Sequence, residues 1–209
     1  MATTTTHYGF DIPQSTDLVK DGATAIATLG QDIDTAMNTA LGTKKAGMVL
    51  LNTTSFSGVS GVSFAANTFT STYNNYRIIF SKLIASANAD TYMRLRAAGS
   101  DNTTSNYNFA YVGNRSNNTT FNNGAAGQST FNIGSTRSVE YGGFSMDLYS
   151  PQTTQMTGFN SQWNGGETSN YNFGVTGGLF AATTSFDSAT FYLSSGTWTG
   201  TYSVFGYNL

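Results

Sequence analysis

Phe144-Ser145-Met146-Asp147-Leu148-Tyr149 sets an apolar side chain at every second position. Only a pleated strand, with its side-chain period of two, gathers Phe144, Met146 and Leu148 onto one face. The alternation recurs in Tyr92–Ala97, where Met93 and Leu95 oppose Arg94 and Arg96. It continues in Phe159, Ser161 and Trp163, in Tyr171, Phe173 and Val175, in Phe191 and Leu193, and through Trp198–Asn208. Met48–Leu51 and Tyr76–Ile84 are apolar-rich runs. Gly58, Ala98–Asn102, Asn123-Gly124, Asn164-Gly165-Gly166, Gly177-Gly178 and Ser195-Gly196 read as turns between them. About eight to ten short strands without a helical insert predict a mainly β fold, an antiparallel β-sandwich or jelly roll over residues 46–209.

Residues 1–45 have a different rhythm. Ser15 or Thr16 can cap a helix whose first turn holds Asp17, and Gly42 stops it just ahead of Lys44 and Lys45. That order suits the unpaired N–H groups and the dipole of a helix. Heptad spacing aligns Val19, Gly22, Ile26, Leu29, Ile33, Ala36 and Ala40. The glycines Gly22 and Gly30 each cost about 1 kcal/mol relative to alanine, and a solitary helix of this length is marginal. The seam therefore predicts a helix over 15–41 ordered by packing, on partners or on its own sandwich, with Ile26, Leu29 and Ile33 as the large contacts. The expected organisation is a helical arm, 1–45, and one sandwich, 46–209.

Only 10% of the 209 residues are charged and 14% are aromatic, with 23 glycines against two prolines. The aromatic content excludes a disordered chain, and solubility rests on Thr, Ser and Asn. The arm carries five acids and three lysines, while residues 46–209 carry six acids and six bases. Without a basic patch, nucleic-acid binding is not expected. A domain of zero net charge tolerates self-association. No cysteine is present, which excludes disulfides and thiolate chemistry. No charged-then-apolar leader is visible and no apolar run nears the roughly 20 residues of a membrane helix, so neither a signal peptide nor membrane insertion is expected.

Catalytic patterns are missing. His7 is the single histidine and sits in a threonine-rich terminus, where nothing holds an imidazole for triad chemistry. Asp90, Asp101, Glu140, Asp147, Glu167 and Asp187 are scattered, without metal-ligand clustering. The sequence thus predicts no enzyme, no metal and no cofactor. The stretch 102–130 is dense in Asn, Thr, Ser and Gly with aromatics interspersed. It reads as a connecting loop with one hairpin, or as a recognition surface, since aromatic faces and amides bind sugars without net charge. Tyr107, Tyr111 and Trp163 are the candidate contacts, with core packing as the plain alternative.

Tyr8-Gly9-Phe10-Asp11-Ile12-Pro13, followed by Ser15-Thr16-Asp17-Leu18-Val19-Lys20-Asp21-Gly22-Ala23, resembles the start of phage tail and virion structural proteins. In these an aromatic-Gly-x-x-x-Pro element precedes a helix. Gly47–Phe56, Tyr76–Phe80, Met93–Arg96 with Gly99–Asn102, and Gly196–Gly206 are similar to sandwich modules of phage particles. The resemblance implies a non-catalytic virion protein made in the host cytoplasm. It implies docking on other phage structural proteins through Tyr8, Pro13, Leu18 and Val19, together with the seam residues Ile26, Leu29 and Ile33. It also implies a homotrimer, although the seam alone suits a dimer equally. With no shaft repeat between arm and sandwich, the expected post is a short tail fibre or receptor-binding protein recognising host-surface glycan. A capsid decoration (cement) protein is the second expectation, and a free lectin-like carbohydrate-binding module the third.

Overall fold

The computed structural model of the chain describes residues 3–6, 9–12, 19–41, 47–138, 141–167 and 170–208. It divides into two compact units, Met1–Gly47 and Met48–Leu209. In the first, strands β1 (Thr3–Thr4) and β2 (Asp11–Ile12) pair antiparallel, and helix α1 spans Val19–Leu41. Asp21 lies in the first turn of α1, where a negative charge favours the helix dipole. Ile26 is 66% exposed, Ile33 and Met37 are exposed as well, and Leu29 is half-buried. Two of the three large seam contacts, Ile26 and Ile33, are thus open to solvent. Tyr8, Pro13, Leu18 and the expected caps Ser15, Thr16 and Gly42 lie outside the described residues.

The second unit is a β-sandwich of two antiparallel sheets. The larger runs β3 (Gly47–Val59), β15 (Trp198–Asn208), β5 (Asn75–Ala85), β11 (Gly142–Tyr149), β12 (Thr157–Glu167), β13 (Asn170–Phe180), β8 (Tyr107–Arg115), β9 (Thr120–Gln128). The smaller runs β10 (Phe131–Thr136), β6 (Ala89–Ala97), β14 (Ser188–Leu193), β4 (Gly61–Ser63), with β7 (Ser100–Asp101) on β6. Met93, Leu95, Phe131, Ile133 and Phe191 of the smaller sheet meet Ile78, Phe80, Phe144, Met146, Leu148 and Val204 of the larger in one buried core. Phe80 is its hub, with ring centroids 4.5 Å from Phe144, 4.8 Å from Phe191 and 5.6 Å from Trp198. Ala98 and Gly99 turn the chain with φ of 50° and 78°, the double positive φ that a tight hairpin requires.

Three expectations from sequence give way here. The stretch 102–130 is mostly strand, a β8–β9 hairpin closed by Arg115 N–H donating to Thr119 O at 2.8 Å. Asn123-Gly124 and Asn164-Gly165-Gly166 lie inside β9 and β12, and Gly177-Gly178 inside β13, not in turns. Strand β13 also inverts the expected parity. Tyr171, Phe173, Val175 and Leu179 face solvent, while Asn172, Gly174, Thr176 and Gly178 face the core side.

The inversion has a steric cause in the neighbouring strand. Rings from β12 lean across β13 and occupy the volume its inner side chains would need. A Cβ on Gly174 would come within 2.5 Å of the Trp163 ring, and one on Gly178 within 2.3 Å of Phe159. Thr176 between them accepts the Trp163 indole N–H at 3.0 Å. On the opposite side Gly134, at φ 145° in a β10 bulge, approaches the same indole, where a Cβ would lie 2.5 Å from it.

At the far edge of the larger sheet, β3 is tied to β15 by a ladder of hydroxyl pairs. These are Thr53–Ser203 at 2.9 Å, Ser55–Thr201 at 3.0 Å and Ser57–Thr199 at 3.4 Å. On the outer face, Arg77 and Asp147 form an ion pair at 3.2 Å that the Tyr207 hydroxyl joins. Among the described residues no helix is long and apolar enough to cross a membrane.

Candidate functional site

The inner faces of the two sheets diverge where β10 leaves β12, β13 and β8, and a polar cleft of about 510 Å³ opens there. Its aromatic wall comes from the larger sheet. Tyr111 of β8 lies 6.3 Å from Phe121 of β9, which lies 6.0 Å from Trp163 of β12, measured between ring centroids. The Arg115 guanidinium sits 5.0 Å over the Phe121 ring. Asn123 of β9 adds an amide to this wall, and Asn172 of β13 stands deeper.

The opposite wall comes from the smaller sheet and the segment leading into it. Asn132 and Ser135 flank the Gly134 bulge, and the Gly134 N–H donates to Asn132 Oδ1 at 3.1 Å. Asp90 and Ser194 form the rim, locked by Asp90 N–H donating to Ser194 Oγ at 3.0 Å. The surrounding protein disfavours charge on the Asp90 carboxyl and raises it above the ordinary aspartate range, while a hydrogen bond with Tyr92 pulls it back.

Two buried polar atoms in the cleft lining have no hydrogen-bond partner in the protein, Asn172 Oδ1 and Ser135 Oγ. Asn172 is only 4% exposed. Leaving such a group unpaired costs roughly 1–3 kcal/mol. Larger hollows, of about 740 Å³ and 880 Å³, open on the larger sheet, but no orphaned buried polar atom lines them. Asp90 is the one carboxylate lining the cleft among the described residues.

Of the three candidate contacts, the structure brings Tyr111 and Trp163 to this one cleft and separates Tyr107 from it. Tyr107 is fully buried, its ring between Phe131 at 4.7 Å and Phe180 at 4.9 Å. Its hydroxyl donates to Asn102 O at 2.7 Å and accepts the Leu95 N–H at 3.2 Å, which leaves nothing for a surface ligand. Trp163 is 7% exposed, with its indole N–H spent on Thr176, so it offers the cleft a ring and no donor. Tyr111 is half-buried.

Sequence reasoning named Asp90 only among scattered carboxylates and did not find Asn132, Ser135 and Asn172; the four are contributed by three strands of both sheets. One signal was readable for Asn132, a lone amide between Phe131 and Ile133. Among the described residues no group of His, Cys, Asp and Glu is placed to hold a metal ion. Comparison with family models, with curated proteins and with solved structures returns no match.

Proposed function

We propose that this chain is a non-catalytic binding protein of a phage particle, which engages an uncharged saccharide in the inter-sheet cleft and attaches through its helical arm. The observation that carries the saccharide reading is the aromatic wall of Tyr111, Phe121 and Trp163 in a cleft also lined by the amides of Asn123 and Asn132. Sugar hydroxyls bond to side-chain amides, and the C–H face of a pyranose packs on aromatic rings. The amides of Asn123 and Asn132 both donate and accept, which suits a polyol. Glycoside hydrolysis uses two carboxylates, and a single one lines this cleft among the described residues. The exposed seam of α1 is the attachment surface, and the resemblance of the arm to phage virion proteins supplies the particle and a trimeric arrangement.

The test is titration of neutral oligosaccharides into the intact chain, followed by the same protein as competitor in phage adsorption. Tyr111→Ala should weaken saccharide binding at least about tenfold and leave the melting temperature close to that of the parent. Saccharide binding that Tyr111→Ala leaves untouched, or adsorption that excess protein never slows, would refute the receptor-binding reading. A capsid decoration role is the second reading, favoured by the broad, sparsely charged outer face of the larger sheet. Copy number per particle separates the two, tens for a fibre and hundreds for a cement protein, by order of magnitude.

A further inference from the structure

The solvent-facing rows of the larger sheet carry a relief that fits itself. Antiparallel register sets Gln162, Val175, Val112 and Asn122 side by side in one row, two valines between two amides. One rung along the strands on one side comes Phe173, flanked by Asn164 and Asn114. One rung on the other side come Gly177, Ala110 and Gly124, which leave a shallow hollow of about 550 Å³. Two rungs out, Tyr171 lies on the side of Phe173 and Leu179 on the side of Gly177. Phe173 is 54% exposed, and Val112 and Val175 about half exposed.

We propose that this face binds a second copy of the chain about a two-fold axis running along the Val175–Val112 row. That operation seats Phe173 of each copy over the Gly177–Ala110 hollow of the other. It also lays valine on valine, and Tyr171 of one copy opposite Leu179 of the other. Such an interface is isologous, the same patch serving both sides.

Charge supports the choice of occupant. Arg77 and Asp147 on these rungs neutralise each other, Lys82 lines the same face beside Phe173, the Arg137 guanidinium lies 4.4 Å from the Tyr171 ring, and residues 46–209 carry equal numbers of acids and bases. Two copies therefore meet with few charges on either side. The size is also adequate. The eight residue steps from Tyr171 to Leu179 span about 27 Å, and the strands from β5 to β9 about 24 Å. The product, about 650 Å², approaches the roughly 800 Å² that each partner gives to a standard interface. The inverted parity of β13 acquires a purpose, since its apolar residues are buried between copies.

Sedimentation of the full-length chain tests the proposal, with Ile26→Asp and Ile33→Asp introduced to remove any association through the helix seam. The chain should sediment as a dimer that weakens at least about tenfold with Phe173→Ala, which removes the knob. Ala110→Phe, which fills the hollow, should weaken it comparably. The exchange Phe173→Gly with Gly177→Phe moves the knob to the opposite rung and should restore dimerisation. All these positions are on the solvent face, so circular dichroism and melting should stay near the parent values. A chain monomeric at every concentration overturns the proposal. So does a dimer indifferent to Phe173→Ala and Ala110→Phe, which would place another surface at the contact.

Discussion

Replacing Tyr107 with phenylalanine removes one oxygen atom from the core and leaves its packing otherwise unchanged. The ring keeps its edge contacts with Phe131 and Phe180, so almost no cavity forms. Two hydrogen bonds are lost, one to Asn102 O and one from the Leu95 N–H. A net bond contributes about 0.5–1.5 kcal/mol, and a buried group left unpaired costs about 1–3 kcal/mol. The Leu95 amide lies in the middle of β6 behind a fully buried side chain, which places the total near 3 kcal/mol. At about 2–4 °C per kcal/mol for a domain of this size, the melting temperature should fall by about 6–12 °C. Calorimetry of the intact chain measures this, and saccharide titration in parallel should show unchanged affinity. A melting temperature within about 1 °C of the parent would refute the buried-strut assignment of Tyr107. Loss of saccharide binding at unchanged stability would instead put the hydroxyl on a ligand.

Gly174→Val should destabilise by about 1–3 kcal/mol, because the added Cβ meets a Trp163 ring that Gly134 prevents from retreating, and denaturant midpoints should report it. Alkali is a further probe. Burial raises the Tyr107 phenol well above its ordinary value of 10.0, and that of Tyr76 in the same direction. A folded-state pKa above the unfolded one means stability fully present below the unfolded value and lost as pH rises past it. Melting temperature should therefore fall once pH exceeds the ordinary tyrosine range, and Tyr107→Phe should flatten that fall. Ile26→Asp with Ile33→Asp should abolish incorporation into particles while leaving the near-ultraviolet circular dichroism of the sandwich intact. Normal incorporation would remove the helix seam as the anchor.

How much of this was legible in the sequence depends on which neighbour each residue has. In β6, β11 and β15 each strand fills its own share of the core, so Met93, Leu95, Phe144, Met146, Leu148 and Val204 announce their face by alternation alone. In β13 the core volume is filled by Trp163 and Phe159 of β12. Nothing local to Tyr171–Phe180 reveals that large residues there point outward. Glycines misled for the same reason. Gly165, Gly174 and Gly178 mark places where another chain segment comes too close for a Cβ, and that segment is remote in sequence. The cleft was half legible. Tyr111 and Trp163 stand out as aromatics among amides, whereas Asn172 and Ser135 acquire meaning only once two sheets place them together without partners.

The ladder joining β3 to β15 governs the order in which the protein can be made. β3 is the first strand of the sandwich and an edge strand, and β15, the last in chain order, is its only neighbour. A ribosome therefore releases Met48-Val49-Leu50-Leu51 long before anything exists to pair with it. β5 can pair with β11 earlier, but its other edge also waits for β15. Closure of the larger sheet at its β3 edge is thus held back until β15 has emerged, with the slow kinetics that distant pairings impose. During that interval an unpaired apolar strand next to the helical arm is the segment most in need of a chaperone, and nascent copies on one message are most at risk of pairing with each other there.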